Sequence, residues 1–115
     1  MKYLKKIVYS LALILPAFSH AEVIEVVTFK LKPGISYQDF APIDKAVEIE
    51  HVSKQPGFIS RESAVGTDRE WLVLVRWESE QDADASMNSF MQAKAASDFV
   101  NHIDETTMMM KRYSK

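Results

Sequence analysis

Three short stretches divide this chain of 115 residues: Lys32-Pro33-Gly34, Gln55-Pro56-Gly57-Phe58 and Trp77-Glu78-Ser79. Each Pro-Gly pair ends regular structure, because proline cannot donate a backbone hydrogen bond and glycine tolerates the turn. The third stretch ends an apolar strand and supplies a serine cap for a helix. Between these points the hydrophobic period changes from two to about 3.6 residues and back. The predicted order of elements is therefore strand, helix, strand, strand, helix, strand.

Four segments have the alternating or continuously apolar pattern of strands. The first carries apolar residues on both faces, with Glu25 among them, which indicates a strand covered on both sides. The third is the most apolar and is typical of a central strand. A hairpin centred between Thr67 and Asp68 joins the second and third. The predicted strands are residues 23–31, 58–65, 71–77 and 108–113.

Two helices connect these strands. The first begins at Ser36, since residues 36–39 have the spacing of a capping box, and it ends before Pro56. The second begins at Ser79, and a break is expected near residues 97–98. Its predicted buried stripe consists of Ala83, Met87, Phe90, Met91 and Ala95.

This order predicts an α+β, ferredoxin-like βαββαβ fold, with a four-stranded antiparallel sheet and both helices on one face. The helices would leave the other sheet face open, yet the strand pattern makes both faces apolar. A second copy packed sheet to sheet is the simplest cover for that face. We therefore expect a homodimer whose two sheets form a barrel-like sandwich.

The first 21 residues have the three-part layout of a secretory signal. A basic start with three lysines precedes an apolar run that ends at Pro16, and Ser19-His20-Ala21 offers small residues for cleavage. The apolar run is shorter than the roughly 20 residues of a membrane-spanning helix. We expect cleavage after Ala21, secretion to the periplasm, no membrane association afterwards, and one domain over residues 22–115.

Charge and cysteine content exclude several classes of function. Removing three lysines with the signal leaves 11 basic residues against 16 acidic ones, a net charge of −5. An acidic chain without a basic run is not expected to bind nucleic acid. The absence of cysteine excludes thiol catalysis and disulfides. No histidine pair has metal-ligand spacing, so no metal site is expected.

Four stretches resemble a known family: residues 29–34, 55–62, 71–79 and 111–113. With them, nearly all of residues 22–113 is similar to antibiotic biosynthesis monooxygenase (ABM) domains of the dimeric α+β barrel superfamily. The resemblance implies a homodimer with a small-molecule pocket between each sheet and its own helices. It also implies one of two functions. The first is a monooxygenase without metal or flavin cofactor that acts on an aromatic or quinone-like substrate. The alternative is a non-catalytic periplasmic module that binds or senses a small molecule.

The same resemblance bears on haem. Haem-degrading members use an asparagine on the first strand and a tryptophan and a histidine on the second helix. The corresponding stretches here offer Val27 or Thr28, then Ser86 or Met87, then Ala96 or Ser97. None of these is the asparagine, tryptophan or histidine of that branch, and neither Ala96 nor Ser97 can replace the histidine, so haem degradation of that type is not expected.

Arginines and aromatic residues are the candidate ligand-binding groups. In the predicted hairpin register, Arg61 and Arg76 share one sheet face, and two cations there need an anionic partner. That partner is either a ligand carboxylate or an acid of the protein, such as Glu62, Glu78 or one from the second copy. Trp77 lies on the opposite face in this register and lines either the pocket or the dimer interface.

His51 and Tyr113 are the candidate catalytic residues. His51 continues the apolar face of the first helix and could act as a general base. The alternative for His51 is a structural role, in which it interacts with carbonyl groups at the helix end. Tyr113 or Arg61 would orient the substrate.

Overall fold

The computed structural model describes residues 21–115, which form one antiparallel sheet covered on one face by helices. The sheet order is β2-β3-β1-β4. The strands are β1 (Val23–Leu31), β2 (Phe58–Val65), β3 (Glu70–Trp77) and β4 (Ile103–Ser114), and the helices are α1 (Tyr37–Glu50), α2 (Glu80–Ser89) and α3 (Lys94–Asn101). The predicted α+β, ferredoxin-like fold is confirmed. The predicted signal peptide lies outside the described residues, except for Ala21.

Serine caps begin both long helices where the sequence predicts them. The Ser36 hydroxyl accepts a hydrogen bond from the Asp39 N–H at 3.0 Å, and the Ser79 hydroxyl accepts one from the Asp82 N–H at 3.1 Å. Gly57 sits beside the second cap with a φ of 80°, and a Cβ there would overlap the Asp82 carboxylate. Glycine is therefore required at the point where β2 begins against α2.

The second half departs from the predicted bounds. The helix breaks at the 3-10 turn Phe90–Gln92 rather than near residues 97–98, which lie inside α3. No proline or glycine marks this break; it lets the rings of Phe90 and Phe99 meet at 5.8 Å above the sheet. Turning there exposes Met87 and Met91 (44% and 63%), which the periodicity places in the buried stripe. The prediction for these two methionines is wrong, and Ser86 and Ala96 are buried instead.

Strand β4 is longer than predicted, because it passes through an irregularity. Its pairing with β1 shifts register between Thr28 and Lys30. At that point the Lys30 N–H donates to the hydroxyl of Thr107 at 2.8 Å. The side chain replaces a backbone partner, so the strand continues back to Ile103 although its first residues are polar.

The β2–β3 hairpin also differs in register from the prediction. Its turn is closed by a hydrogen bond of 2.9 Å from the Gly66 N–H to the Glu70 carbonyl, and Asp68 and Arg69 have positive φ angles. Three residues therefore lie between Gly66 and Glu70. The predicted centre between Thr67 and Asp68 requires an even number, so the observed strand pairing is shifted by one residue from the predicted one. Arg61 lies opposite Val75 rather than Leu74. The prediction that Arg61 and Arg76 share a sheet face is wrong.

The layer between sheet and helices has two dissimilar ends. At one end four rings pack edge to face or tilted, with centroids 4.9–5.8 Å apart: Phe29, Phe40, Trp71 and Phe99. We call this the aromatic end. Towards the other end the paired strand positions carry Val27 opposite Val73 and Glu25 opposite Val75. We call this the valine end. Short side chains there fill less of the space beneath the helices.

Candidate functional site

A cavity of about 280 Å³ lies at the valine end, between the sheet and the helices. Its wall is mainly apolar and combines residues of all four strands, of α1, α2 and α3, and of two 3-10 turns, Val52–Lys54 and Phe90–Gln92. Polar groups enter the wall from Glu25, Arg61, Ser86 and Glu105. The apolar lining is formed by Val27, Val47, Val52, Val73, Val75, Trp77, Phe90, Phe99 and Val100. A mainly apolar cavity with a few converging polar groups is typical of small-molecule sites.

Three methionines complete the lining: Met87, Met91 and Met108. All three are more than 40% exposed, so they lie where the cavity meets the surface. Thioether side chains are flexible and polarisable, and they adapt to different apolar shapes. The structure places these residues around the cavity rather than in the core.

Arg61 reaches the cavity wall but is already neutralised. Its guanidinium donates two hydrogen bonds to the Asp44 carboxylate, at 2.7 and 3.1 Å, and approaches Glu48 at 3.6 Å. Ser63 adds a hydrogen bond of 2.6 Å to Asp44. The side chains of Arg61 and Asp44 are only 3% and 7% exposed. The anionic partner is therefore an acid of α1, which is neither a ligand nor one of the acids considered from the sequence.

Glu25 is the second buried charge at the cavity. It is the third residue of β1, lies among apolar neighbours and is 6% exposed. Its Oε2 accepts a hydrogen bond of 2.8 Å from Nε of Arg112 on β4, and Arg112 also donates to Asp84 on α2. Burial disfavours the charge of Arg112, but its bonds to Asp84 and Glu25 outweigh this and raise its pKa. The three side chains tie β1, β4 and α2 together beside the cavity.

His51 is buried behind the cavity wall rather than in it. It caps the C-terminus of α1, and its Nε2 lies 2.8 Å from the hydroxyl of Ser89. Its ring packs edge to face on Phe90 at 5.9 Å, and Phe90 itself lines the cavity. Nδ1 is buried without a hydrogen-bond partner among the described residues. Burial lowers the pKa of His51 below its ordinary value of 6.5.

The five residues singled out from the sequence are thus separated. Arg61 and Trp77 line the cavity, and His51 lies one layer behind it. Arg76 pairs with Ile24 and Tyr113 pairs with the same residue from the other side, so both project from the face that the helices leave open. Tyr113 is 53% exposed there. Both tryptophans face the helices with Arg61.

Sequence reasoning missed the acids that organise this site, although each leaves a signal. Glu25 interrupts an apolar strand face, and Asp44 lies between Phe40 and Val47 on the apolar side of α1. A charged residue at a position that the hydrophobic periodicity predicts to be buried indicates an oppositely charged, buried partner. Which arginine serves each acid could not be read from the pattern, because the partners are 17 and 87 residues away.

Within residues 21–115, no cluster of three or more histidine and acidic side chains could hold a metal ion. Over the same residues, no helix has the length and apolarity needed to cross a membrane.

Solved structures of similar fold include SnoaB from Streptomyces nogalater, described as a cofactor-independent oxygenase. It has a TM-score of 0.67 and 14% sequence identity over 83% of this chain and 93% of that one. A conserved protein from Methanosarcina mazei Go1 has a TM-score of 0.63 and 19% identity over the same shares. A putative antibiotic biosynthesis monooxygenase from Chloroflexus aurantiacus J-10-fl has a TM-score of 0.60 and 16% identity, again over 83% and 93%. At these identities the likeness concerns the fold.

Comparison of the sequence with curated proteins finds no match. The family model described as antibiotic biosynthesis monooxygenase, in contrast, matches residues 23–99. This match contains β1 to β3, all three helices except the last two residues of α3, and most of the cavity lining. With the ferredoxin-like sheet and the cavity between sheet and helices, it shows that the chain belongs to the ABM family.

Proposed function

We propose that the protein binds a small, mainly apolar aromatic or quinone-like molecule in the valine-end cavity and oxidises it with dioxygen, without a cofactor. The cavity is the observation that carries this proposal, since it combines a mainly apolar lining with a few polar groups. Family membership and the fold shared with a cofactor-independent oxygenase support the reaction type.

The chemistry would depend on the substrate. A carbon acid next to an aromatic ring loses a proton, and its carbanion passes electrons to dioxygen. One oxygen atom stays on the substrate as a carbonyl and the other leaves as water, so that CH₂ and O₂ become C=O and H₂O. The protein would contribute a proton acceptor and a cavity that excludes water.

His51 is one candidate for the proton acceptor, and its role stays a prediction. Its lowered pKa keeps the ring neutral near pH 7, as a base requires. Phe90, however, stands between this ring and the cavity. Tyr113 and Arg76 would need a second site on the open sheet face to contact a ligand.

Oxygen uptake tests the proposal directly. Purified protein in the presence of a chelator is given anthrone, a carbon acid flanked by aromatic rings, and dioxygen consumption is followed with an electrode. We expect a saturable rate above that of the buffer blank, with anthraquinone as product. If the protein binds anthrone but oxygen consumption does not exceed that of the buffer blank, the result would instead support the non-catalytic binding module.

That second function has its own support. The predicted base hydrogen-bonds to Ser89 and does not line the cavity. A binding or sensing module needs the cavity and its polar groups but no proton acceptor. The same anthrone experiment separates the two functions, because binding without turnover is the expected result for the module alone.

We also propose that two copies pack through their open sheet faces. The face carries partly exposed apolar residues of the central strands, namely Ile24, Val26, Leu72 and Leu74. A sheet face of this kind is usually covered in a stable protein. Light scattering on residues 22–115 should give twice the monomer mass, and a monomer at micromolar concentration would contradict the proposal.

Secretion to the periplasm remains a proposal based on the sequence of residues 1–21. Mass spectrometry of the protein recovered from the periplasm would test it, since cleavage after Ala21 leaves a chain that begins at Glu22.

A further inference from the structure

One carboxylate oxygen of Glu25 accepts no hydrogen bond from the described residues. Oε2 accepts the hydrogen bond from Arg112 at 2.8 Å, and Oε1 accepts none from any residue in the described part of the chain. In residues 21–115, the fully buried polar side-chain atoms without a partner are His51 Nδ1, Trp71 Nε1 and Trp77 Nε1, so Oε1 of Glu25 retains some exposed surface. Because Glu25 lines the cavity and its Oε2 is held by Arg112, Oε1 is the carboxylate oxygen available to a ligand there.

Arg112 holds the carboxylate in place. Its guanidinium bridges Glu25 and Asp84 and so connects the centre of the sheet to α2. A carboxylate fixed by one charged hydrogen bond cannot rotate freely, and its second oxygen keeps a defined direction. An acceptor oriented in this way selects a ligand that carries a hydrogen-bond donor at the matching position.

The charges around the cavity determine which donors fit. Arg61 is already bound to Asp44 and Glu48, and Arg112 to Glu25 and Asp84. Among the described residues, Arg61 is the one arginine or lysine that lines the cavity, whereas Glu105 adds a second carboxylate. A ligand carboxylate would therefore find repulsion and no free cation. A neutral hydroxyl group would find an anionic acceptor in an apolar wall.

We propose that Glu25, oriented by Arg112, is the specificity residue of the cavity: Oε1 accepts a hydrogen bond from a neutral hydroxyl group on an aromatic ligand, and the site rejects the corresponding carboxylate. This inference rests on the proposed ligand-binding role of the cavity. The proposed ligand is therefore a neutral hydroxyl compound, whereas two arginines on one sheet face would have favoured a carboxylate.

Three probes with the same ring system test this selection: 2-naphthol, 2-methoxynaphthalene and 2-naphthoate. Affinities are measured by NMR titration of ¹⁵N-labelled protein, following the indole N–H signals. Trp77 lines the cavity and should shift, whereas Trp71 lies at the aromatic end and serves as an internal reference. We expect 2-naphthol to bind about tenfold tighter than 2-methoxynaphthalene, the scale of one charge-assisted hydrogen bond. 2-Naphthoate should bind most weakly.

The variant Glu25→Gln removes the charge while keeping the shape. The advantage of 2-naphthol over the methyl ether should fall to about threefold or less, because a neutral acceptor is weaker. Binding of 2-naphthoate should improve. Glu80→Gln, an exposed acid in the first turn of α2, is the matched control and should leave all three affinities unchanged.

The outcomes separate this inference from the proposed function. If none of the probes shifts Trp77, the cavity does not take aromatic ligands, and both proposals are overturned. If 2-methoxynaphthalene binds as tightly as 2-naphthol, the assignment of Glu25 is overturned while ligand binding stands. The comparison among probes uses the unmodified protein, so it decides the matter even if Glu25→Gln fails to fold.

Discussion

The aromatic end and the valine end of the same layer differ in how they use the space between sheet and helices. At the aromatic end, Phe40 reaches three other rings and is completely buried. At the valine end, Val27 and Val73 face each other across two strands beneath a cavity of about 280 Å³. Side-chain size at neighbouring strand positions therefore divides one layer into a part that stabilises the fold and a part that can hold a ligand.

Phe40→Ala should have the largest effect on stability. Removing a ring with no exposed surface loses its burial and leaves a hole among Phe29, Trp71 and Phe99. We expect the free energy of unfolding to fall by about 3–5 kcal/mol in urea denaturation. Phe90→Ala, at the edge of the existing cavity, should cost less than half as much. Equal losses would mean that the two ends are packed alike.

Asp44→Ala should have the next largest effect on stability, because it leaves the buried charge of Arg61 without its main partner. Arg61 would remain almost wholly buried with only Glu48 nearby, at 3.6 Å. Breaking a buried pair in this way costs about 3 kcal/mol. Lys30→Ala removes the exposed ion pair with Asp68 and should cost far less in the same assay, because water screens that pair. A loss for Asp44→Ala as small as for Lys30→Ala would show that Arg61 finds another partner or water.

Val73→Phe sharpens the comparison by giving the valine end a side chain like those of the aromatic end. The new ring should enter the cavity that Val73 lines, so the free energy of unfolding should change by about 1 kcal/mol or less. Binding of 2-naphthol, measured by the Trp77 signal, should be lost. Leu72→Phe, on the opposite sheet face, is the matched control and should retain binding. Retained binding in Val73→Phe would place the ligand elsewhere.

Substitution of His51 should have the smallest effect on the free energy of unfolding, and the size of this effect depends on pH. Because burial lowers its pKa, the unfolded chain takes up a proton below pH 6.5 that the folded chain does not. Stability therefore falls as the pH drops from 6.5 towards the folded pKa, with a slope of at most about 1.4 kcal/mol per pH unit. His51→Gln should lose this component when urea denaturation is compared at pH 7.5 and 5.5. Identical pH dependence in both proteins would contradict the burial of His51.

Prediction from sequence succeeded where the signal is local. Pro-Gly turns, serine caps and the change of period specify β1, β2 and the starts of α1 and α2 almost to the residue. It failed at the 3-10 turn Phe90–Gln92, which no turn residue marks. Helix-forming residues there would have continued the helix, and packing of Phe90 on Phe99 overrides that preference.

The site shows the same limit more sharply. Trp77 and Arg61 were identified as candidates and line the cavity, but the predicted hairpin register wrongly put Arg61 on the face of Arg76 and opposite Trp77. Arg76 and Tyr113 lie on the open face instead. Glu25 and Asp44 were visible only as charges in apolar patterns, because an ion pair is defined by two distant residues.

The sequence by itself determined the order of strands and helices, the caps, the family and the apolar character of both sheet faces. These features depend on neighbours within one or two turns of chain, where period and turn chemistry act. Only the tertiary structure decided which arginine pairs with which acid and on which face of the sheet each arginine lies. It also decided where the layer between sheet and helices leaves a cavity. Register and packing couple residues up to 87 positions apart, and the ion pair of Glu25 with Arg112 beside the cavity is the product of that coupling.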